Sequence, residues 1–359
     1  MKIIFKLLIA LAVLAGLSIT AVLNIPALQD RLMAQVIEKR ISATPSHLFN
    51  DDALRVVVCG SASPMPHKSR AAARVMVIAG GKYYIVDAGN RSTNNLNLCR
   101  IPAKKIGGVM ITHFHSDHIG DLGELNMMSW VQGRGQPLPV YGPKGIEQVV
   151  GGFTESYAAD RRYRIAHHGA DVLSVPGANM RAVEIDVSNG PASVFEQDGL
   201  KVTMFPVEHQ PIDPAVGYRF DYKGRSVVIS GDTIKSAKVV AAAKGADVLM
   251  HEAQAMHMVK QLKTATAEHG DPKLSQLMHD ILDYHTSPVE AAEVANEAGV
   301  AQLVLYHLTP APPNKLAEKF FMRGVSDVRP NGTLLADDGL VITLPLNSKD
   351  ILTSWLTTP

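Results

Sequence analysis

Cysteine is nearly absent: the 359-residue chain carries only Cys59 and Cys99. Two thiols this far apart neither build a disulfide framework nor match a zinc-thiolate spacing. They read as inert buried thiols or, in an oxidising compartment, as one Cys59–Cys99 bridge. An excess of charge is missing as well. With 35 basic against 34 acidic residues and a formal net charge of +1, the chain has no overall field that would gather nucleic acid, and a dedicated nucleic-acid binder is not expected. Short repeats and low-complexity tracts are also missing. What the chain has in quantity is apolar residues, 46% of the total, enough at this length to bury a large core.

The N-terminus concentrates that apolarity. Lys2 and Lys6 precede an uncharged run from Leu7 to Ile25 rich in Leu, Ala, Val and Ile, so residues 1–25 read as a signal peptide or a membrane anchor. The run is long for a cleaved segment, and Ser18-Ile19-Thr20-Ala21 makes a poor cleavage site, which favours the uncleaved anchor. Lysines ahead of the run keep that end in the cytoplasm and send the remainder to the periplasm or cell surface. Residues 26–50 read as a linker with one amphipathic helix (Leu28, Leu32, Val36, Ile37, Ile41), and residues 51–350 as one catalytic domain. Its oligomeric state is left open, a homodimer included.

Within that domain, strands are expected at Arg55–Val58, Ala73–Ile78, Lys82–Val86 and Gly108–Thr112, with a helix near Asn94. A second series follows at Lys201–Val207, Val216–Tyr222, Ser226–Ser230, Val248–Met250 and Gln302–Tyr306. Two strand-rich series, each followed by helix, give an α/β fold of four layers, an αββα sandwich. The Met- and His-rich stretch Ala253–Asp283 is helical in pattern and reads as packing or as a lid.

The chemistry centres on Thr112-His113-Phe114-His115-Ser116-Asp117-His118. His113 and His115, two apart at a strand end, project to one side and share one metal ion, while Asp117 and His118 in the following turn reach a second. Three later strands end on a further donor: His209 after Phe205-Pro206-Val207, Asp232 in Gly231-Asp232-Thr233, and His307 after Leu303-Val304-Leu305-Tyr306. Ligands gather outside strand ends in layered α/β folds, so these donors share a rim. Nitrogen and oxygen donors without thiolate suit zinc first, with manganese or iron as alternatives.

The His-x-His-x-Asp-His run, the later single His, the Gly-Asp-Thr and the final His together resemble the metallo-β-lactamase superfamily, in the branch containing tRNase Z (ribonuclease Z) and the arylsulfatases of that fold. Cys59–Pro64 resembles the branch's opening glycine turn and Val86-Asp87-Ala88-Gly89 its aspartate turn. His209-Gln210-Pro211, with Gly217-Tyr218-Arg219 after it, is similar to its third motif. His251-Glu252-Ala253 and His285-Thr286-Ser287 resemble its two catalytic-loop motifs. The resemblance implies two divalent metal ions, the first on His113, His115 and His209, the second on Asp117, His118 and His307, with Asp232 on both. A bridging carboxylate at Asp232 points away from a true β-lactamase and toward phosphoester or sulfate-ester hydrolysis. Two such cations make hydroxide available near neutral pH. Catalytic roles then fall to Asp117 in the metal turn, to His285 as proton donor to the leaving oxygen, and to Glu252, which orients it. Ser287-Pro288-Val289-Glu290 reads as a helix cap that fixes His285 just outside the helix start.

Three readings of the substrate compete. Long arms that grip tRNA lie between the third motif and the Gly-Asp-Thr in tRNase Z, and here His209 and Asp232 stand too close in sequence to hold one. Small anionic esters, aryl sulfates or phosphodiesters, are therefore the leading expectation and tRNA 3′ processing the alternative, with nucleic acid not expected as a partner. A di-iron redox module would need an acidic residue at His115 and a flavin domain, and has neither. A scaffold with a vestigial site is disfavoured by seven filled ligand positions. The basic cluster Arg161, Arg162, Arg164, His167 and His168 reads as a solvated face or an anion contact.

Overall fold

The computed structural model describes residues 2–42, 46–99 and 101–356. The chain divides into two compact units, with the break between residues 45 and 46. The first unit holds the helices Lys2–Asn24 and Pro26–Ser42. Within the former, the 21 residues Ile4–Asn24 are long and apolar enough to cross a membrane, with mean hydropathy 2.3 and no residue of the apolar stretch buried.

The second unit is built on two sheets. Strands β1 (Ala53–Gly60), β2 (Arg74–Ala79), β3 (Lys82–Val86), β4 (Ile106–Met110), β5 (Leu138–Gly142) and β6 (Met180–Glu184) begin the first. Strands β7 (Ala192–Gln197), β8 (Leu200–Pro206), β9 (Val216–Tyr222), β10 (Arg225–Ile229), β11 (Val248–Gln254), β12 (Gln302–Thr309) and β13 (Thr333–Leu335) make the second. The chain then returns through β14 (Leu340–Pro345) and β15 (Leu352–Trp355), and the first sheet runs β15-β14-β1-β2-β3-β4-β5-β6. The second runs from β13 in strictly descending order to β7.

Central strands such as β1 and β2 are buried at every position and read as continuous apolar runs, as a sheet covered on both faces requires. Val56, Val77 and Met110 of the first sheet pack on Val202, Phe220, Val227 and Met250 of the second to form the inter-sheet core. Outside the second sheet, Val228, Leu249 and Leu303 pack against Val239 and Ala291 of the helices Ala237–Ala243 and Pro288–Ala298. Outside the first, Val109 and Ile111 pack with Leu122 and Ile146 of the helices Leu122–Val131 and Ile146–Ser156. Helix, sheet, sheet and helix are thus the four expected layers.

The globular unit is longer than residues 51–350. Leu48 in the short turn Ser46–Phe49 is already buried in the core, and β15 pairs with β14 beyond residue 350. Strands β3 to β6 run parallel, as do β10 to β13, and their carboxyl ends form the rim from which the candidate site is built.

Candidate metal centre

β4 delivers the motif. Past its end, His115 caps the short helix Ser116–Ile119, whose turn carries Asp117 and His118. Gly89 lets this turn close, since a Cβ there would lie 2.3 Å from the Asp117 carbonyl oxygen. Gly231, at φ +65°, plays the same part before Asp232, where a Cβ would meet the Val216 carbonyl at 2.5 Å. His307 arrives differently. The β11–β12 register shifts where Tyr306 faces Glu252 and Leu308 faces Ala253, so His307 is the extra residue of a bulge, at φ +47°. That turns its ring out of the ladder and toward the rim.

The seven expected ligands converge. His113, His115, His209 and Asp232 bring donor atoms within 4.8 Å of one another, and so do Asp117, His118 and His307. Asp232 stands between the groups. Its Oδ2 lies 3.4 Å from Nε2 of both His118 and His307, 3.9 Å from Nε2 of His113 and 4.0 Å from that of His209. Asp117 Oδ2 is 3.2 Å from His307 Nε2.

The outward nitrogens explain why the others face inward. His118 Nδ1 donates to Asp87 Oδ2 at 2.8 Å, and His209 Nδ1 donates to the Tyr284 carbonyl at 2.8 Å. Thr112 Oγ1 gives its proton to Asp87 and is left to accept from His113 Nδ1 at 3.1 Å. A carboxylate and a carbonyl can only accept, so each of these rings carries a proton outward and turns its Nε2 to the centre, the arrangement that metal-ligating histidines share. His209 Nε2 and Asp232 Oδ1 are buried without a partner, a loss of about 1–3 kcal/mol each unless something fills the space between them. The cluster is compatible with a binuclear divalent metal site.

Its electrostatics divide the rings: burial opposes charge on His118, but Asp232, Asp87 and Asp117 outweigh it and raise that imidazole well above its ordinary range, so it gives up a proton when it ligates a metal. Burial pushes the imidazoles of His113 and His209 below their ordinary range, keeping them neutral and available as donors. Burial works against ionised Asp232, yet His307 and His118 hold its carboxyl well below the usual carboxylate range. Asp117 is likewise held down at about 2, burial being outweighed by His118 and His307.

His285 lies beside the second group, its donor atom within 4.8 Å of those of Asp232 and His307. Its Nδ1 donates to Glu252 Oε1 at 2.9 Å. Burial opposes charge on the ring, but the Glu252 carboxylate prevails and raises its pKa to about 9. The same Glu252 oxygen accepts from the backbone of Thr233 at 3.3 Å and of Thr286 at 3.1 Å, tying the Asp232 turn to the His285 loop. The expected cap is present: Ser287 and Glu290 form a capping box at the start of Pro288–Ala298.

Sequence reading missed Tyr284, whose carbonyl anchors His209 and which no motif marks. It recognised the Asp87 turn but not its hold on Thr112 and His118. Elsewhere the structure separates residues from the centre. Arg164 pairs with Asp160 at 2.8 Å and Arg161 donates to Asn179 at 3.2 Å on the surface helix Ala158–His168. Cys59 and Cys99 are both free thiols. The stretch Ala253–Asp283 is the end of β11 followed by the helices Met256–Glu268 and Pro272–Asp280.

Residues 83–308 match the family model described as "Beta-lactamase superfamily domain". The chain belongs to the metallo-β-lactamase superfamily. Within this superfamily, the Ribonuclease Z of Mycobacterium avium (strain 104) is 35% identical over 261 residues, 72% of this chain and 87% of that protein. The ribonuclease Z-like branch is therefore the one to which this superfamily member is closely related. Solved structures share the fold at lower identity. The metallo-β-lactamase fold protein YhfI from Bacillus subtilis aligns with TM-score 0.58 and 20% identity, covering 81% of this chain and 100% of its own. Human tRNase Z, short form, aligns with TM-score 0.55 and 22% identity, again over 81% of this chain and 100% of its own. As a member of this superfamily the chain is a metal-dependent hydrolase acting on ester bonds. The relatives' name stands against the expectation that nucleic acid is not a partner. A whole-chain charge near zero does not argue against such a partner, because a substrate is held by the local field of a site and not by the sum over the surface.

Proposed function

We propose that this protein is a binuclear phosphodiesterase that cleaves RNA, as the name of its ribonuclease Z relatives indicates, with hydrolysis of small anionic esters as the second reading. The observation that carries the reaction class is the Asp232 carboxylate, whose Oδ2 is in reach of His118 and His307 at 3.4 Å and of His113 and His209 at 3.9 and 4.0 Å. In this proposal His113, His115 and His209 would hold one ion, Asp117, His118 and His307 the other, and Asp232 both. Zinc is the metal proposed, with manganese or iron as alternatives. When bound, the ions supply ionised water at neutral pH and positive charge against the phosphoryl oxygens.

The chain's own groups do the rest. Asp87 and the Tyr284 carbonyl fix ring orientation, so the donors need no reorganisation during turnover. The protonated Nε2 of His285 gives its proton to the departing oxygen, while Glu252 keeps the ring charged and aimed.

Two features favour the second reading. β9 passes into β10 through a two-residue turn, Lys223 and Gly224, both at positive φ, so the segment from His209 to Asp232 carries no gripping arm. The helix Lys2–Asn24, which we propose as a membrane anchor with the hydrolase outside the cytoplasm, would also keep the site from cytoplasmic RNA. Assay of the full-length protein in detergent decides between them, using a tRNA precursor, a bis-aryl phosphodiester and an aryl sulfate, with Asp232→Ala as blank. Cleavage of the precursor at one 3′ position supports the RNA reading; turnover of the small esters alone replaces it with the second.

A further inference from the structure

The metal run does not end at its ligands. Phe114, between His113 and His115 in the chain, is half-buried and forms one wall of a groove of about 630 Å³. Gln148, Val149, Gly152, Phe153 and Ser156 supply the facing wall, spaced so that they share one side of the helix Ile146–Ser156. Gly152 keeps that wall open, having nothing within 4 Å of where a Cβ would be. Asp213 and Pro214, from the loop after His209, also line the groove, so two of its lining segments adjoin candidate ligands in the chain. Lys144 is exposed at the edge and also lines an adjoining groove of about 800 Å³ that reaches Glu208 and Gln210 on either side of His209.

We propose that this groove seats a nucleobase next to the scissile phosphate, with the base against Phe114 and Phe153 and the neighbouring phosphate at Lys144. The inference rests on the RNA reading above and names where the strand lies. The chemistry suits a polynucleotide in two ways. Aromatic rings accept any base by its π face, which gives grip without sequence preference. An ammonium beside the aromatic wall meets the phosphate that follows the base. Gly145 N–H is already bound to Glu184 Oε2 at 3.0 Å, so the phosphate contact falls to Lys144 and not to the helix start, with Lys238 as the second cation against the carboxylates of Asp186 and Asp213 in the adjoining groove. The groove also answers the missing arm: grip comes from beside the metal run.

The test is fluorescence anisotropy of a labelled RNA hairpin with a single-stranded 3′ extension, titrated with full-length protein in detergent. Phe153→Leu keeps apolar volume but removes the ring, and it weakens binding about tenfold. Lys144→Glu, at an exposed position that carries no fold, weakens it several-fold and lowers the slope of log affinity against log salt by about one. Lys201→Glu, exposed at the far end of β8, binds like wild type. Unchanged affinity in both groove variants overturns the proposal, as does wild-type protein that binds no RNA. Cleavage of the same RNA keeps the two ideas apart. If it is cut and KM is unmoved by the groove variants, the RNA reading stands and the groove falls. If it is bound through Phe153 and Lys144 but never cut, the groove stands and the RNA reading falls.

Discussion

Glu252 is fully buried, and the carboxylate it holds against the His285 ring is what gives that histidine a function. A histidine donor works only while protonated, and the carboxylate at 2.9 Å raises the ring from its ordinary 6.5 to about 9. The rate should therefore hold through neutral pH and fall as pH rises through about 9. Glu252→Gln removes the carboxylate, so the falling limb should move down toward 6.5 in the pH–rate profile, and a limb that stays in place contradicts the pairing. His285→Ala should leave metal content intact and slow turnover most for poor leaving groups, which need the proton; equal loss across a leaving-group series counts against the acid role. Asp87→Ala should cost about 10–100-fold in metal affinity, measured by competition with a chromophoric chelator, because it frees His118 and the Thr112 hydroxyl together. The ligands themselves were legible because four stand within one short run and the others follow apolar strands. Tyr284 was not, since a backbone carbonyl leaves no trace in residue type.

Among elements, those read correctly from sequence are the central ones. β1 to β4 and β8 to β12 have neighbours on both sides and show long apolar runs, whereas β6, β7, β13 and β15 are sheet edges with no fully buried position. Edge strands carry no continuous hydrophobic signal. β5 was hidden by Pro139 and Gly142 in a five-residue strand. The bulge at His307 was equally invisible, since it is a property of register between β11 and β12 and not of either sequence. The cap at Ser287 was visible, because capping depends on residue type at fixed spacing. Ser287→Ala removes the side-chain arm of the capping box, leaving the backbone N–H of residue 287 on Glu290, and should destabilise the domain by roughly 1 kcal/mol in chemical denaturation. No change would mean that the cap only marks the helix start.

At the scale of the whole molecule, the two sheets meet at the rim that carries the ligands: His113 and His118 leave the first sheet, His209, Asp232 and His307 the second. Metal that binds the folded rim alone must stabilise the pairing of the sheets, so chelation should lower the midpoint of thermal unfolding. The N-terminal unit makes a separate prediction. Full-length protein should partition into lipid vesicles through Lys2–Asn24, and a variant with Leu11→Lys and Leu14→Lys should remain in the aqueous phase; equal partitioning of both contradicts the anchor.

The most direct measurement is metal content by plasma mass spectrometry on wild type and Asp232→Ala, with phosphodiester hydrolysis measured on the same samples. Two ions per chain in wild type, at least one lost in Asp232→Ala, and activity lost with it are the predicted result. A variant that keeps both ions and its activity would contradict the shared carboxylate on which the account rests.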